Sequence, residues 1–343
     1  MKLSIPPDAS FPRLDRIMTA MRARVIGQDE AITEIASAFH RAFAHLQYTG
    51  RPAAVLLFAG PTGVGKTLAA RALADAFKEA TFVKVDCGDF AGSMGHAVSK
   101  LLGAPPSFVG HGGKVVFSKE NFGKGATILL FDEIEKALGG RDQEFLGLLV
   151  SALDSGSVLN NRNEVISLEN TIVILTSNLG TREVVQRVVG QGLGFHKADH
   201  HLKMSEMDDS EIEEVNQKIE TVVLKSVKEA LPPEIFNRID RTVVFRYLTE
   251  KEHLTIIAVE LGLVQEQMKL SGLNLTLRVT DPAKKLVLSE IKSEREYGAR
   301  ALKRAVERLI VTPLAELVNY GQVTPGSTVE VRRENGNLSF WTD

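Results

Sequence analysis

Gly60-Pro61-Thr62-Gly63-Val64-Gly65-Lys66-Thr67 has the types and spacing of a phosphate-binding loop. The glycines let backbone N–H groups close around phosphate oxygens, Lys66 would reach the outer phosphates, and the Thr67 hydroxyl would ligate magnesium. The loop follows the apolar run Ala54 to Ala59. A buried strand would then deliver it, and the helix after Lys66 would point its positive end at the anion. An ordinary Gly-rich strand-to-helix turn explains the glycines but leaves the Lys-Thr pair unaccounted for. A second string, Ile128-Leu129-Leu130-Phe131-Asp132-Glu133, sets two acids at the end of another apolar run. Asp132 is the magnesium candidate and Glu133 the candidate base or water-orienting group. Leu175-Thr176-Ser177-Asn178 ends a third run with a neutral amide, suited to sensing the outer phosphate or positioning water without adding charge.

These groups need a scaffold that brings strand ends together. Apolar runs recur at Thr81 to Val85, Thr127 to Phe131, Ile172 to Thr176 and Thr242 to Phe245, mostly separated by helical patterns such as Leu68 to Phe77 and Gln143 to Leu153. Continuous rather than alternating apolar runs mark strands buried on both faces. The expected fold class is α/β, a parallel five-stranded sheet flanked by helices, with ligand at the carboxyl ends of its strands. After Arg246 the pattern changes. A helix from Thr249, a strand at Leu275 to Val279, helices from Asp281 and over Arg300 to Val318, and strands near Thr328 to Val331 and Leu338 to Trp341 predict a small α+β domain. The expected organisation is an amino-terminal arm over 1–13, a large domain over 14–246 and a small domain over 247–343, with Phe245 to Leu248 as hinge.

Composition narrows the function classes. With 343 residues, 44% of them hydrophobic, the chain is long enough for more than one core. Lys and Arg number 41 against 43 Asp and Glu, so the net charge of −2 provides no general field for nucleic acid or an anionic membrane. The single cysteine, Cys87, cannot form an internal disulfide, and no signal-type or membrane-spanning stretch is visible. A reducing cytoplasm is the expected compartment. Cys87 reads as a small buried hydrophobe, and His196, His200 and His201 as solvated loop residues rather than metal ligands.

Seven ordered strings carry a resemblance: Val25-Ile26-Gly27-Gln28-Asp29-Glu30-Ala31, the phosphate loop, Val98 to Pro106, Asp132-Glu133-Ile134-Glu135-Lys136-Ala137, Thr176 to Gly180, Phe236-Asn237-Arg238-Ile239-Asp240 and Tyr297-Gly298-Ala299-Arg300. The sequence resembles, over nearly its whole length, the AAA+ module that forms the second ATPase ring of the Clp unfoldases and disaggregases. That resemblance implies ATP and Mg2+ as cofactors and a homo-oligomeric ring, expected to be a hexamer. It implies that Val25 and Ile26 pack on adenine, that Asn178 is a first sensor of the nucleotide and that Arg300 is a second sensor. Arg238 would be the arginine finger reaching a neighbouring subunit's ATP; for Arg238 and Arg300 alike the alternative is a structural salt bridge. A planar guanidinium suits that task because it stabilises dispersed phosphate charge bidentately.

Ser107-Phe108-Val109-Gly110-His111-Gly112-Gly113 stands where the family carries its substrate-gripping pore loop. Phe108 keeps the aromatic that would wedge against a translocating protein substrate, and glycines let the loop swing. Ser107 replaces a glycine, His111 replaces an aromatic, and two acids of the family pattern are absent. Asn160-Asn161-Arg162-Asn163, at the tip of an expected hairpin, matches the second pore loop less specifically, and Leu231-Pro232-Pro233-Glu234 lacks a basic residue usual in the family. Leu193-Gly194-Phe195 falls in the insertion where peptidase-coupled members dock into a ClpP-like peptidase; a self-anchored loop is the alternative. No peptidase motif is visible, so any proteolysis would belong to a partner. The resemblance begins near Pro6 without an adaptor-binding domain, a first ring or a coiled-coil middle domain. The expectation is a single-ring ATP hydrolase that unfolds or remodels proteins, its substrates delivered by an adaptor. A second reading is an ATP-dependent assembly switch without threading; a third, a nucleic-acid remodelling ATPase, is opposed by the charge balance.

Overall fold

A computed structural model of the protein describes residues 12–43, 50–77, 80–90, 96–103, 115–123, 125–138, 143–181, 207–291 and 298–342. Contacts divide the chain into two units. The first is built from described residues up to Gly60, from Gly65 to Thr181 and from Ile219 to Phe245; the second takes in residues from Arg246 onward together with Pro61–Val64 and described residues 207–218.

The first unit contains a five-stranded sheet of β1 (Ala54–Ala59), β2 (Thr81–Asp86), β3 (Thr127–Asp132), β6 (Thr171–Ser177) and β7 (Arg241–Val244), in the order β2-β3-β6-β1-β7. Between β3 and β6 lies a hairpin of β4 (Ser157–Leu159) and β5 (Val165–Ser167). Every neighbouring pair in the main sheet is parallel. Burial follows position. The three inner strands β1, β3 and β6 are buried at every residue, whereas edge strands β2 and β7 are buried only in part. That is why the inner runs are continuously apolar and β2 admits Lys84. The β7 edge is pinned by Asp240, whose amide donates to Val55 O at 2.8 Å while its carboxylate accepts from Val55 N at 2.8 Å. At its other end Phe245 N donates to Ala59 O, and the Phe245 and Phe58 rings lie 5.3 Å apart.

Two helices, Pro12–Arg22 and Asp29–Phe43, precede β1 and bury Leu14, Ile17, Met21, Ile32, Ile35 and Phe39. The hairpin expected around Asn160 is present, and Asn160 is buried within it. Its amide donates to Phe117 O at 3.0 Å and its oxygen accepts from Arg162 N and Glu164 N. Asn160 thus builds the turn.

The second unit has a three-stranded sheet of β8 (Thr276–Val279), β9 (Thr328–Glu334) and β10 (Asn337–Thr342), ordered β10-β9-β8. The helix Glu250–Leu270 opens with a reciprocal capping box between Thr249 and Glu252. Ile257, Leu261, Val287, Leu302, Ile310 and Val331 form one of its cores. The single helix expected over Arg300 to Val318 is interrupted: Ala299–Val306 is α-helical, Glu307–Val311 a π turn, and Thr312–Asn319 α-helical again. Pro313 explains the break, since it lacks the N–H that a continuous helix would use. No helix among the described residues is long and apolar enough to cross a membrane.

Candidate functional site

The sheet order decides which groups meet. β6 lies between β1 and β3, so Asn178 at its end falls between the loop that leaves β1 and the acids that end β3. Gly60 adopts φ 138°, and a Cβ there would collide with the Phe245 carbonyl oxygen. Gly65 at φ 105° turns the chain into the helix Lys66–Ala76, whose amino terminus has no side-chain cap. Its first N–H groups are the donors an anion would use. Lys66 is 7% exposed, and its ammonium donates to Gly60 O at 2.7 Å and to Asn178 Oδ1 at 2.8 Å. Val25 is buried, with Cγ1 3.6 Å from where a Cβ on Gly65 would sit, and Ile26 beside it is half-buried.

Asp132 is 5% exposed and fully engaged. It accepts from Thr176 Oγ1 at 2.6 Å, from Thr67 Oγ1 at 3.0 Å and from Lys84 Nζ at 2.7 Å. Burial pushes its carboxyl up, but the hydrogen bonds from Lys84 and Thr176, the Lys84 charge and the Thr67 hydroxyl outweigh burial and hold it below the usual carboxylate range. A hydroxyl and a carboxylate 3.0 Å apart are a donor set that fits magnesium, a hard cation that takes one or two protein oxygens with phosphates and waters completing its shell.

Glu133 follows in the left-handed region at φ 59°, a conformation that costs a non-glycine residue free energy and so needs outside support. The Thr176 hydroxyl provides it, accepting from Glu133 N at 2.9 Å while donating to Asp132. The Glu133 carboxylate pairs with Lys136 and receives the Asn178 amide at 3.4 Å. Glu135 Oε1 accepts from Asn178 N at 3.1 Å and from Asn178 Nδ2 at 3.3 Å. Cys87 is fully buried, and burial together with Asp86, Asp132, Glu135 and Glu133 pushes its thiol far up, as a small hydrophobe rather than a nucleophile requires.

Arg238 lies away from this cluster, just past the short helix Pro233–Phe236. Its Nε donates to Asp154 Oδ1 at 2.6 Å, Nη2 donates to the other carboxylate oxygen, and Nη1 donates to Glu234 O. The hydrogen bond between them raises the Arg238 pKa and lowers that of Asp154. Arg300 is exposed in the first turn of Ala299–Val306; within the second unit the preceding amide, Ala299 N, donates to Gly63 O at 2.9 Å.

The structure therefore gathers Gly60, Gly65, Lys66, Thr67, Asp132, Glu133 and Asn178 into one site, while Arg238 stands apart with Asp154. Phe108, Val109 and His111, and the Leu193-Gly194-Phe195 string, lie outside the described residues, as do His196, His200 and His201. Sequence reasoning assigned no role to Lys84, Thr176, Glu135, Lys136 or Asp154. For two of them a signal existed: a cation inside an otherwise apolar edge strand, and a hydroxyl ending a continuous apolar run.

Residues 51–242 match the AAA domain (Cdc48 subfamily), and residues 248–331 match the C-terminal, D2-small domain of ClpB protein. The chain is 35% identical over 324 residues to Chaperone protein ClpB 2 of Synechocystis sp., covering 93% of this chain and 33% of that protein. It is 32% identical over 331 residues to the ATP-dependent Clp protease ATP-binding subunit ClpC of Staphylococcus epidermidis, covering 96% and 38%. With Chaperone protein ClpB 1 of Synechococcus elongatus it shares 33% over 337 residues, covering 97% and 35%. The chain spans about a third of the length of the curated relatives it matches. An AAA domain followed by a ClpB-type small domain, on a sheet whose strand ends gather a Gly-rich loop, paired acids and the Asn178 amide, assigns the chain to the AAA ATPase family in its Clp branch.

Proposed function

We propose that the protein hydrolyses ATP and uses the energy to unfold or remodel protein substrates. One observation carries the hydrolytic part: Lys66 on Asn178 at 2.8 Å and Thr67 on Asp132 at 3.0 Å bring the groups for phosphate, metal and water to adjacent strand ends. The backbone of Gly60 to Gly65 cradles the phosphates, with Lys66 neutralising the outer ones. Val25 and Ile26 pack on the base. Thr67 and Asp132 would hold magnesium, which supplies charge neutralisation across the phosphates. Glu133 orients and deprotonates the attacking water, and Asn178 holds that water or the outer phosphate in line. Most of the rate enhancement in such a site comes from positioning and electrostatics.

Family membership and the residues of this chain support the remaining parts of this reading. Arg238 completes the site of a neighbouring subunit, so hydrolysis takes place at the interfaces of a ring, six subunits being the expected number. Arg300, on the small domain over 247–343, reports nucleotide state to that domain. Phe108, with Val109 and His111 beside it, grips polypeptide in the central pore, an adaptor delivers substrate, and Leu193 to Phe195 docks a ClpP-like peptidase. The Synechocystis relative is named a chaperone and the Staphylococcus relative a protease ATP-binding subunit, which supports a protein substrate over nucleic acid.

The test measures ATP turnover by the parent, with and without an unfolded protein or DNA, and by Glu133→Gln. Stimulation by unfolded protein alone is expected, together with ATP binding but slow turnover in Glu133→Gln. A Glu133→Gln variant that hydrolyses at the parental rate removes the assigned water-activating group, and stimulation by DNA alone removes the substrate class.

A further inference from the structure

We propose that Glu135 is a positioning residue for hydrolysis, fixing the orientation of the Asn178 amide between Lys66 and Glu133. The inference rests on the reading of Asn178 as the sensor. Glu135 Oε1 receives both the backbone N–H of Asn178, at 3.1 Å, and its side-chain Nδ2, at 3.3 Å. Two donors of one residue held on a single oxygen close a ring, which fixes the side chain against rotation about its own Cα–Cβ bond. The opposite end of the amide is fixed by charge. Asn178 Oδ1 accepts from the Lys66 ammonium at 2.8 Å, and Nδ2 faces Glu133 Oε1 at 3.4 Å as well as Glu135. A flipped amide would set its oxygen against two carboxylates and its NH2 against an ammonium, so only one orientation satisfies the network.

The second observation is the state of the other Glu135 oxygen. Oε2 is buried and has no hydrogen-bond partner among the described residues. A carboxylate oxygen left in that condition costs free energy, and an apolar side chain would avoid it. Glu135 is thus held at a cost, one residue into the short helix Ile134–Leu138, where its reach to the end of β6 accounts for its presence. Glu133 alone would not fix the amide, because it receives Nδ2 only and its carboxylate is also drawn to Lys136, whereas Glu135 holds the Asn178 backbone as well.

The experiment compares kcat and KM for ATP in the full chain carrying Glu135→Ala, Glu135→Gln, Glu135→Asp, Asn178→Ala and the Glu135→Ala/Asn178→Ala double substitution, with thermal melting in parallel. Glu135→Ala is expected to lower kcat about ten- to a hundredfold, the usual cost of a small misplacement in an active site, with KM within about twofold of the parent. Glu135→Gln keeps an acceptor and is expected to recover most of kcat. The double substitution is expected to be no slower than Asn178→Ala. Glu135→Asp keeps the charge but withdraws the acceptor by one methylene; it must lower kcat, and it carries the test if the alanine variant does not fold. Parental kcat in both Glu135→Ala and Glu135→Asp overturns the proposal while leaving the sensor intact. So do equal losses in all three Glu135 variants that follow melting temperature, or single effects that multiply in the double. Parental kcat in Asn178→Ala instead overturns the sensor reading and the proposal with it.

Discussion

Lys84→Met removes the ammonium that pairs with the buried Asp132 carboxylate and keeps most of the aliphatic stem. Asp132 loses the 2.7 Å contact but retains Thr176 at 2.6 Å and Thr67 at 3.0 Å, so the loss is that of one charge-assisted hydrogen bond. Such a bond contributes about 1.5–3 kcal/mol. The Lys84 side chain is 39% exposed, so solvent screening places the loss at the lower end, about 1.5–2 kcal/mol. At roughly 2–4 °C per kcal/mol for a unit of this size, nucleotide-free Lys84→Met should melt about 3–8 °C below the parent. The sign of the pH dependence follows from the Asp132 shift. Its carboxyl is held below the ordinary value of 3.8, so its stabilisation is present above that value and is lost as pH falls through the lower folded-state value. Without Lys84 burial is opposed only by hydroxyls, the folded-state value rises, and acid unfolding should begin at higher pH. Saturating ATP with magnesium brings a cation to the same carboxylate and should narrow the difference between variant and parent. Thermal unfolding followed by circular dichroism, with and without the nucleotide complex, measures all three. A nucleotide-free variant melting within 1 °C of the parent refutes the ion-pair argument, and a gap unchanged by ATP and magnesium refutes the exchange of cations at Asp132.

Arg238→Ala should retain ATP binding and lose turnover, and mixing it with Lys66→Ala subunits should restore part of the activity at interfaces that combine an intact site with an intact finger. Demonstrated mixed rings without any rescue would count against action across the interface. Gly60→Ala must place a methyl group against the Phe245 carbonyl at a φ of 138°; backbone strain alone costs about 1–3 kcal/mol, so a fall in melting temperature with loss of ATP binding is expected, and an unchanged melt would contradict the close approach. Phe108→Ala should preserve basal ATP turnover and abolish unfolding of a stably folded fluorescent substrate that carries an unstructured tail, whereas Phe108→Tyr should preserve both. Undiminished unfolding by the alanine variant would favour the assembly switch.

Legibility in the sequence followed burial. β1 is the apolar run Ala54 to Ala59 residue for residue, and β3 and β6 differ from their runs only at the ends, because inner parallel strands carry an uninterrupted apolar signal. The helices Pro12–Arg22 and Asp29–Phe43 are less legible, because their apolar faces share the window with Asp15, Asp29, Glu30 and several arginines. The phosphate loop, Asp132, Glu133 and Asn178 could be named because each sits at a strand end with a recognisable local string. The partners of Lys84, Glu135 and Asp154 could not, because they are chosen by strand register and by turns remote in sequence. Lys84 meets Asp132 only because β2 pairs β3 with Lys84 opposite Leu130, two residues from the acid on the same face.

Lys66 donates to the Gly60 carbonyl and to the Asn178 oxygen, so a phosphate that takes its ammonium would have to replace those contacts. Any dissociation constant measured for ATP is consequently a difference between two sets of contacts. A substitution that loosens the resting set improves affinity without adding a single interaction to the ligand, so tight binding and fast turnover can move in opposite directions when Asn178 is altered.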